Sequence, residues 1–190
     1  MLISELTKNT DCRIIGSDCD ISRIEYDSRK LTGGELFCCI RGTFKDGHEF
    51  AESAVARGAA ALLVERELPL SVPQIIVKNS RHAMAELAIE FYGHPLDGIP
   101  VIGITGTNGK TTTTTLTGEI FKAAKKKTYV VGNIGVAVIS MAISAEKDAW
   151  LITETSSFQL ETTKEFRPEV SAVLNLTPDH LNRHKTMDQY

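Results

Sequence analysis

Long apolar runs, a strong excess of one charge and paired metal-binding motifs are all missing from this 190-residue sequence. No apolar run approaches the roughly 20 residues that a membrane-spanning helix needs, so membrane insertion is not expected. The start, MLISELTKNTDCRIIG, has acidic and polar residues where a secretory signal would have its apolar core, which favours a cytoplasmic protein. The formal net charge of −3 lacks the basic excess that is typical of nucleic-acid binding, so no nucleic-acid partner is expected.

Cysteines are few, and their spacing is not that of a metal site. The four cysteines stand at positions 12, 19, 38 and 39, without a Cys-x-x-Cys pair or a Cys/His combination with zinc-ligand spacing. Cys38 and Cys39 are adjacent in ELFCCIRG, which is typical of a strand, so their side chains are predicted to point to opposite faces. We interpret the four as free thiols that act as small buried hydrophobic residues.

A turn-rich segment divides the chain into two parts. GHPLDGIP contains two glycines and two prolines in eight residues, which places a domain boundary near residue 97. Before it, the β-rich runs ISRIEYDS, ELFCCI, AALLVE and PQIIV are interspersed with the helical stretches GHEFAESAVARGA and NSRHAMAELAIEFYG. Residues 1–97 are therefore predicted to form a small mixed α/β domain.

Residues 98–190 alternate between apolar strands and helices. The predicted strands IPVIGIT, TYVVGN, AWLITET and VSAVLNLT are continuously apolar, which is typical of a parallel sheet covered on both faces. The predicted fold class is α/β, with the first domain followed by part of a P-loop parallel-sheet ATPase domain. TMDQY is predicted to begin a further helix, and a complete domain of this class has more strands, so we expect that the chain is C-terminally truncated.

The loop GITGTNGKTTTTT lies between a predicted strand and a predicted helix. It contains the Gly-Lys-Thr of a phosphate-binding loop, but the common pattern G-x-x-x-x-G-K-[ST] would require a glycine at position 104, which is Ile. In this context backbone amides and the helix N-terminus would surround a phosphate, Lys110 would reach the β- and γ-phosphates, and the Thr111 hydroxyl would coordinate Mg²⁺. The structural alternative is a plain glycine turn between a strand and a helix.

Polar residues follow three of the predicted strands, where ligand sites of parallel sheets lie. They are Asn133 in VVGNIG, Glu154 in LITETSSFQL, and Asn175, Asp179 and His180 in AVLNLTPDHLNRH. Glu154 is predicted to hold Mg²⁺ directly or through water, and the alternative is a carboxylate at a helix N-terminus. For His180 the alternative is a loop histidine bonded to Asp179. His82, His94 and His184 have no comparable setting and receive no role.

At this point the sequence resembles a known family. GITGTNGKTTT, GNIG, ETSSFQLE and NLTPDHLNRH occur in the order found in the central ATPase domain of the Mur ligases, which build the peptidoglycan stem peptide. The unusual glycine spacing is the one that this family shows. GNIG and SSFQLE are most similar to the MurD branch, which adds D-glutamate, and the resemblance extends over Pro100–Tyr190.

The first half resembles a different branch. YDSRKLTGGELFCCIRGTFKDGHEF is similar to the UDP-binding domain of the MurE branch, which adds the third residue of the stem peptide. That resemblance implies contacts with uridine diphosphate from Ser28, Arg29, Thr43, Phe44, Asp46, Gly47 and His48. From the residues alone, Asp27 and Ser28 could equally cap a turn, and Asp-Gly-His could be a plain tight turn.

In the second half the resemblance implies a role for each motif. Catalytic roles fall on Lys110, Glu154 and His180, and metal contacts on Thr111, Glu154 and His180. Asn133, Ser156 and Gln159 would face the muramoyl substrate. Nucleotide contacts are implied for Gly106, Thr107, Asn108, Gly109, Lys110, Thr111 and Thr112. Position 182 is Asn where the family usually has Asp, and the carbamoylated lysine of the second metal site would lie beyond Tyr190. The 190-residue chain alone is therefore expected to be inactive.

The implied function is an ATP-dependent amide ligase that uses Mg²⁺. It would join an amino acid, either D-glutamate or the third stem residue, to a UDP-N-acetylmuramoyl-peptide through an acyl phosphate. These two substrates are the expected partners, and a monomer is expected. Two alternatives remain: a nucleotide-sugar-binding module without catalysis, and a ligase like the folylpolyglutamate synthetases, which share a related loop. The MurE-like first half argues against the second alternative.

Overall fold

The computed structural model describes residues 1–42, 45–163 and 166–190. It divides into two compact units, Met1–His94 and Pro95–Tyr190. The turn-rich segment at 93–100 predicts a boundary near residue 97, and the structural division falls inside that segment. Among the described residues, no helix is both long and apolar enough to cross a membrane.

The first unit is built on a five-stranded sheet. Its strands are β1 (Arg13–Ile15), β2 (Ile24–Glu25), β3 (Leu36–Cys38), β4 (Ala61–Val64) and β5 (Gln74–Ile76), in the order β1-β5-β4-β3-β2. β1 pairs antiparallel with β5, and the other three pairs are parallel. The prediction of a small mixed α/β domain is therefore confirmed. β1 was not among the predicted strands because it is short and mostly exposed, so it carries no apolar run.

Three α-helices accompany this sheet: α1 (Ile3–Leu6), α2 (Ala51–Ala56) and α3 (Ser80–Phe91). α3 begins after Asn79, whose side chain accepts a hydrogen bond from the main-chain N–H of His82 at 3.0 Å. The sheet separates two apolar clusters, one with Cys38, Leu63, Ile75 and Leu87, and the other with Phe37, Cys39, Ala54 and Leu62. Because successive strand residues alternate in direction, Cys38 and Cys39 lie in different clusters, as predicted.

The second unit contains a four-stranded sheet in which every pair is parallel. Its strands are β6 (Val101–Thr105), β7 (Thr128–Gly132), β8 (Trp150–Glu154) and β9 (Val170–Val173), in the order β7-β8-β6-β9. The predicted parallel sheet is confirmed. Parallel strands end at the same edge of the sheet, so the segments that follow β6, β7, β8 and β9 all leave from that edge.

Helices lie on both faces of this second sheet. α4 (Lys110–Ala123) packs on one face and α5 (Val138–Ala142) on the other, while the short helices α6 (Ser157–Thr162) and α7 (Leu181–His184) follow β8 and β9 along the chain. Phe121 of α4 packs against Ile102, Ile104 and Ile152, and Val138 of α5 packs on the opposite cluster. β9 is the least covered strand, with Val170 51% and Val173 61% exposed. TMDQY forms a hydrogen-bonded turn, in which the Tyr190 N–H donates to the Thr186 carbonyl at 3.1 Å.

Candidate functional site

The glycine-rich loop joins β6 to α4, and its shape explains the unusual glycine spacing. Ile104, which occupies the position of the first glycine in the common pattern, is a buried residue of β6. Gly106 has φ +130°, and a Cβ there would lie 3.0 Å from the main-chain N and O of Asn175. Gly109 has φ +82° and caps the start of α4. Both positions thus require glycine for reasons of conformation or space, whereas position 104 does not.

The segment that follows β9 holds this loop through hydrogen bonds. The Thr107 N–H donates to the Asn175 carbonyl at 3.0 Å. The Asn108 N–H donates to Asn175 Oδ1 and Asn175 Nδ2 donates to the Asn108 carbonyl, both at 2.9 Å. The Thr107 hydroxyl donates to the Thr177 carbonyl at 3.1 Å and accepts the Thr177 N–H at 3.0 Å. The amides of Thr107 and Asn108 are therefore already engaged within the protein.

The amides of the first turn of α4 remain as the phosphate-facing groups. The first N–H groups of a helix have no partner in the helix itself, and they carry the positive end of its dipole. Lys110 is the first residue of this turn, and its Nζ donates to the Gly106 and Thr107 carbonyls at 2.8 and 2.9 Å. An ammonium group thus lies directly over the loop. Together these groups form a site that suits an anion such as a phosphate.

Two predicted residues from separate motifs, Thr111 and Asn133, both contact Glu154. This carboxylate at the end of β8 is only 2% exposed. Glu154 Oε2 accepts a hydrogen bond from the Thr111 hydroxyl at 2.9 Å, and Oε1 accepts one from Asn133 Nδ2 at 3.2 Å. The Asn133 N–H also donates to the Glu154 carbonyl at 2.9 Å. A carboxylate and a hydroxyl beside an anion site are the oxygen ligands that Mg²⁺ prefers.

The donor set suits Mg²⁺ more than a cation that requires a full protein cage. Mg²⁺ is commonly held by one or two protein oxygens together with phosphate oxygens and water. Among the described residues no group of three or more His, Cys, Asp or Glu side chains could enclose a metal ion. Thr111 and Glu154 could thus supply two protein oxygens to such an ion.

Ser156 and Gln159 form the start of α6, directly after Glu154. The Ser156 N–H donates to Gln159 Oε1 at 2.8 Å, and the Gln159 N–H donates to Ser156 Oγ at 3.3 Å. This reciprocal pair is a capping box, which satisfies two amides at the helix start. Both predicted substrate-facing residues are thus at the same edge of the sheet as Glu154, and they also serve this local structural purpose.

His180 is placed differently from the other predicted metal residues. It precedes α7 with φ +49°, and its main-chain N–H donates to Asp179 Oδ1 at 2.8 Å. Its ring Nε2 lies 3.6 Å from Asp179 Oδ2, and its ring centroid lies 4.8 Å from that of Phe158. Its side chain thus contacts Asp179 and Phe158, and neither contact brings it to Thr111 or Glu154. Metal binding by His180 therefore stays a prediction.

His184 received no role from the sequence, but it is buried and contacts several residues of the second unit. It is 7% exposed, and its Nε2 lies 3.0 Å from Ser157 Oγ. Its ring stacks on Phe158 with centroids 5.6 Å apart and lies 5.1 Å from the ring of Tyr190. The Tyr190 hydroxyl in turn lies 3.1 Å from Thr107 Oγ1 of the loop. A cavity of about 380 Å³ lies alongside, lined in part by Gly106, Ser157, Leu176, His184 and Tyr190.

In the first unit, Ser28 and Arg29 lie in a short 3-10 turn. Asp27 caps this turn by accepting the Arg29 N–H at 3.1 Å. The Arg29 guanidinium also donates to both carboxylate oxygens of Asp27, at 2.9 and 2.8 Å. These hydrogen bonds from Arg29 lower the pKa of Asp27 to about 2. The turn-capping alternative thus describes Asp27, while Ser28 and the 84% exposed Arg29 remain at the surface.

Asp46, Gly47 and His48 form a second hydrogen-bonded group in this unit. The Asp46 carboxylate accepts the His48 N–H at 3.0 Å and contacts His48 Nδ1. His48 Nε2 accepts the Glu65 N–H at 2.9 Å, so both ring nitrogens have protein partners, and the side chain is fully buried. Gly47 starts the 3-10 turn between them. Thr43 and Phe44, also predicted to contact uridine diphosphate, lie outside the described residues.

The charge of Asp46 is stabilised where it lies. Burial alone would raise its pKa, but the hydrogen bonds from His48 and from the Arg66 guanidinium outweigh this effect. The pKa of Asp46 is therefore held well below its usual range, and the carboxylate stays charged. Arg41 and Arg66 lie 3.6 and 3.4 Å from Asp46 Oδ2. This part of the unit thus places cationic side chains next to a partly buried loop whose Asp46 and His48 are hydrogen-bonded.

Comparisons with known proteins match both units. Residues 104–190 match the family model "Mur ligase middle domain", and residues 20–92 match "Mur ligase family, catalytic domain". The UDP-N-acetylmuramoyl-L-alanyl-D-glutamate--2,6-diaminopimelate ligase of Geobacillus kaustophilus is 39% identical over 92% of this chain and 40% of its own length. The UDP-N-acetylmuramoylalanine--D-glutamate ligase of Clostridioides difficile is 53% identical over 68% of this chain and 29% of its own length.

Two solved MurF structures are similar to this chain over most of its length. MurF from Acinetobacter baumannii superposes with a TM-score of 0.69 at 25% identity, over 98% of this chain and 43% of that one. MurF ligase from Thermotoga maritima in complex with ADP gives a TM-score of 0.66 at 26% identity, over 88% of this chain and 40% of that one. The chain thus spans about 40% of the length of the first curated relatives it matches.

Proposed function

The chain belongs to the Mur ligase family, and we propose that it supplies the nucleotide-sugar-binding and ATP-binding parts of an amide ligase of peptidoglycan synthesis. The reaction would join an amino acid to a UDP-N-acetylmuramoyl-peptide with consumption of ATP. The observation that carries this proposal is the meeting of Thr111 and Glu154 at 2.9 Å beside the first turn of α4 and Lys110. The same edge of the sheet thus offers groups for a phosphate and for its cation.

An unactivated carboxylate resists attack by an amine because it is negatively charged and has a poor leaving group. ATP with Mg²⁺, when bound, supplies a phosphoryl group that removes both obstacles. The contribution of this chain is positioning and charge neutralisation. Lys110 and the first-turn amides of α4 would hold the phosphates, and Thr111 and Glu154 would hold the cation. Asn133, by its bond to Glu154, would fix the direction of that carboxylate.

We propose that the muramoyl end of the acceptor lies near Asn133, Ser156 and Gln159, which are at the carboxyl edge of the second sheet. The uridine diphosphate end would be held in the first unit by Ser28, Arg29, Asp46 and Gly47. His48 would act there as an anchor for the loop, because both of its ring nitrogens are bonded within the protein. The added amino acid would be D-glutamate or the third stem residue.

The proposal is tested by binding to the chain itself. Calorimetric titration with Mg-ADP should give a measurable Kd, and Thr111→Val should weaken it by about tenfold, since one oxygen ligand is lost. Thr117→Val is the matched control, because its hydroxyl on the same helix donates to the Thr113 carbonyl at 2.8 Å. Absence of Mg-ADP binding by the folded wild-type chain would overturn the assignment of the loop to a nucleotide.

The acceptor is tested separately with UDP-N-acetylmuramoyl-L-alanine and UDP-N-acetylmuramoyl-L-alanyl-D-glutamate. Preference for the first would assign the D-glutamate-adding step, and preference for the second would assign the step that follows. Arg29→Ala should weaken the preferred acceptor, while Arg13→Ala, another exposed arginine of the same unit, should not. If neither acceptor binds to the folded chain, the nucleotide-sugar assignment of the first unit fails.

A further inference from the structure

The hydrogen bonds between Asn175 and the glycine-rich loop have a consequence for phosphate binding. Asn175 Oδ1 accepts the Asn108 N–H, and Asn175 Nδ2 donates to the Asn108 carbonyl, each at 2.9 Å. One side chain therefore pairs with both main-chain groups of one loop residue. Only a carboxamide can do this, because it carries a donor and an acceptor side by side. A carboxylate would offer two acceptors, and an aliphatic side chain would offer neither.

The bond to the Asn108 carbonyl fixes a specific peptide plane. The carbonyl of Asn108 and the N–H of Gly109 belong to the same planar trans peptide, so they point in opposite directions. While the carbonyl points to Asn175, the Gly109 N–H must point away from Asn175. Gly109 has φ +82° and caps the helix whose first turn faces the phosphate. The orientation of this peptide thus determines whether the Gly109 N–H or the Asn108 carbonyl faces the anion site.

Without Asn175 this peptide would be free to rotate. Glycine tolerates both signs of φ, so the 108–109 peptide can reverse at little steric cost. The reversed form would turn the Asn108 carbonyl toward the phosphates and remove the Gly109 N–H from them. An oxygen with partial negative charge would then face an anion, which opposes binding. The position of Asn175 opposes this reversal.

We propose that Asn175 is a positioning residue of the phosphate site, which holds the 108–109 peptide in the orientation that presents an N–H to the nucleotide. This inference rests on the proposed function, since it concerns the same loop. Asn175 contacts the loop rather than the phosphates. Its effect therefore passes through the Asn108 and Gly109 main chain.

The test uses the 190-residue chain and the variant Asn175→Ala. The Asn108 amide loses its side-chain acceptor, so its hydrogen exchange should accelerate at least tenfold. The Thr107 amide donates to the main-chain carbonyl of residue 175, which the variant retains, so its exchange should stay slow. The Kd for Mg-ADP should rise about tenfold. A general loosening of the unit would instead accelerate both amides.

Two further variants keep the test decisive. Asn175→Asp retains the acceptor for the Asn108 N–H but loses the donor to its carbonyl, so it should keep the amide protected and still weaken Mg-ADP. Asn79→Ala removes an asparagine that also accepts a main-chain N–H, in the first unit, and should leave Mg-ADP binding unchanged. If the wild-type chain does not bind Mg-ADP, the proposed function and this inference both fail. If it binds and both Asn175 variants bind equally well, only this inference is overturned.

Discussion

The loop at residues 46–48 in the first unit and the loop at residues 106–111 in the second use their polar groups in different ways. In the first loop, Asp46 and His48 bond to each other, and His48 Nε2 also accepts the main-chain N–H of Glu65. In the second, a remote segment supplies the bonds, through Asn175 and Thr177. A loop held by its own polar side chains has few left for a ligand. A loop whose hydrogen bonds come from a remote segment can leave the N–H groups at its helix start available to a ligand.

The largest expected effect is the loss of stability when the first loop loses the side chain of His48. His48→Ala should lower the free energy of unfolding of the first unit by about 3 kcal/mol, because it leaves the Glu65 N–H without its acceptor, removes one partner of the Asp46 carboxylate and opens a buried cavity. Chemical denaturation followed by circular dichroism measures the change. His82→Ala, at an exposed histidine paired with Glu86, should cost less than about 0.5 kcal/mol. Equal costs for the two variants would contradict the anchoring role of His48.

A somewhat smaller effect is expected in binding at the second loop. Lys110→Ala should weaken Mg-ADP roughly 10- to 150-fold, since a charge-assisted contact contributes about 1.5–3 kcal/mol. Binding of the muramoyl nucleotide to the first unit should change less than about twofold. Both are measured by calorimetric titration. Lys122→Ala, on the same helix and paired with Glu119, is the control. Equal loss of both ligands in a folded variant would contradict the separation of the two sites.

Acid should remove the stabilisation that another carboxylate, that of Glu35, gives to the first unit. Burial alone would raise the pKa of Glu35, but hydrogen bonds from Thr32 and Gly33 lower it to about 2. Because folding lowers the pKa of Glu35, its ionised carboxylate stabilises the folded state at pH values above its unfolded pKa of about 4.5. This stabilisation is lost as the pH falls toward 2.

The pH dependence of Glu35→Gln measures this contribution. The wild-type chain should lose on the order of 2 kcal/mol more stability than this variant between pH 4.5 and pH 2. Chemical denaturation at a series of pH values gives both curves. Parallel curves would show that Glu35 does not contribute to the acid sensitivity of the first unit.

The smallest effect concerns a hydroxyl next to Glu154. Thr155 is 7% exposed, and its Oγ1 has no hydrogen-bond partner among the described residues. Thr155→Val should therefore leave stability unchanged or raise it by up to about 1 kcal/mol, because burying an unpaired hydroxyl is unfavourable. Thermal unfolding measures this, and Mg-ADP affinity should not change. A loss of affinity comparable to that of Thr111→Val would show that the Thr155 hydroxyl takes part in the site.

Local pattern was sufficient to predict much of the second unit. Continuous apolar runs predicted the four parallel strands, and the shared edge of a parallel sheet explains why Thr111, Asn133 and Glu154 come together. The resemblance added the correct family. Short, exposed β1 has no comparable pattern, and the four-residue helix α7 is too short to show one.

The sequence did not predict which polar atoms are already hydrogen-bonded within the protein. The Asn108 main chain meets the Asn175 side chain across 67 positions of the sequence, and His184 meets Ser157 across 27. Such pairs depend on how the strands are ordered in the sheet. The burial of His48 likewise depends on the main chain of Glu65, 17 positions away, so a tight-turn motif alone does not distinguish a contact residue from an anchor.

The 67-residue separation between Asn108 and Asn175 also affects the order in which the protein acquires its shape during synthesis. At about 5–20 residues per second, a ribosome needs roughly 3–13 s to proceed from one of these residues to the other. During this interval the nascent chain carries every residue of the glycine-rich motif but lacks the bonds from Asn175 and Thr177 that hold it. We therefore expect nucleotide affinity to emerge only after β9 and the segment following it have been synthesised and have folded.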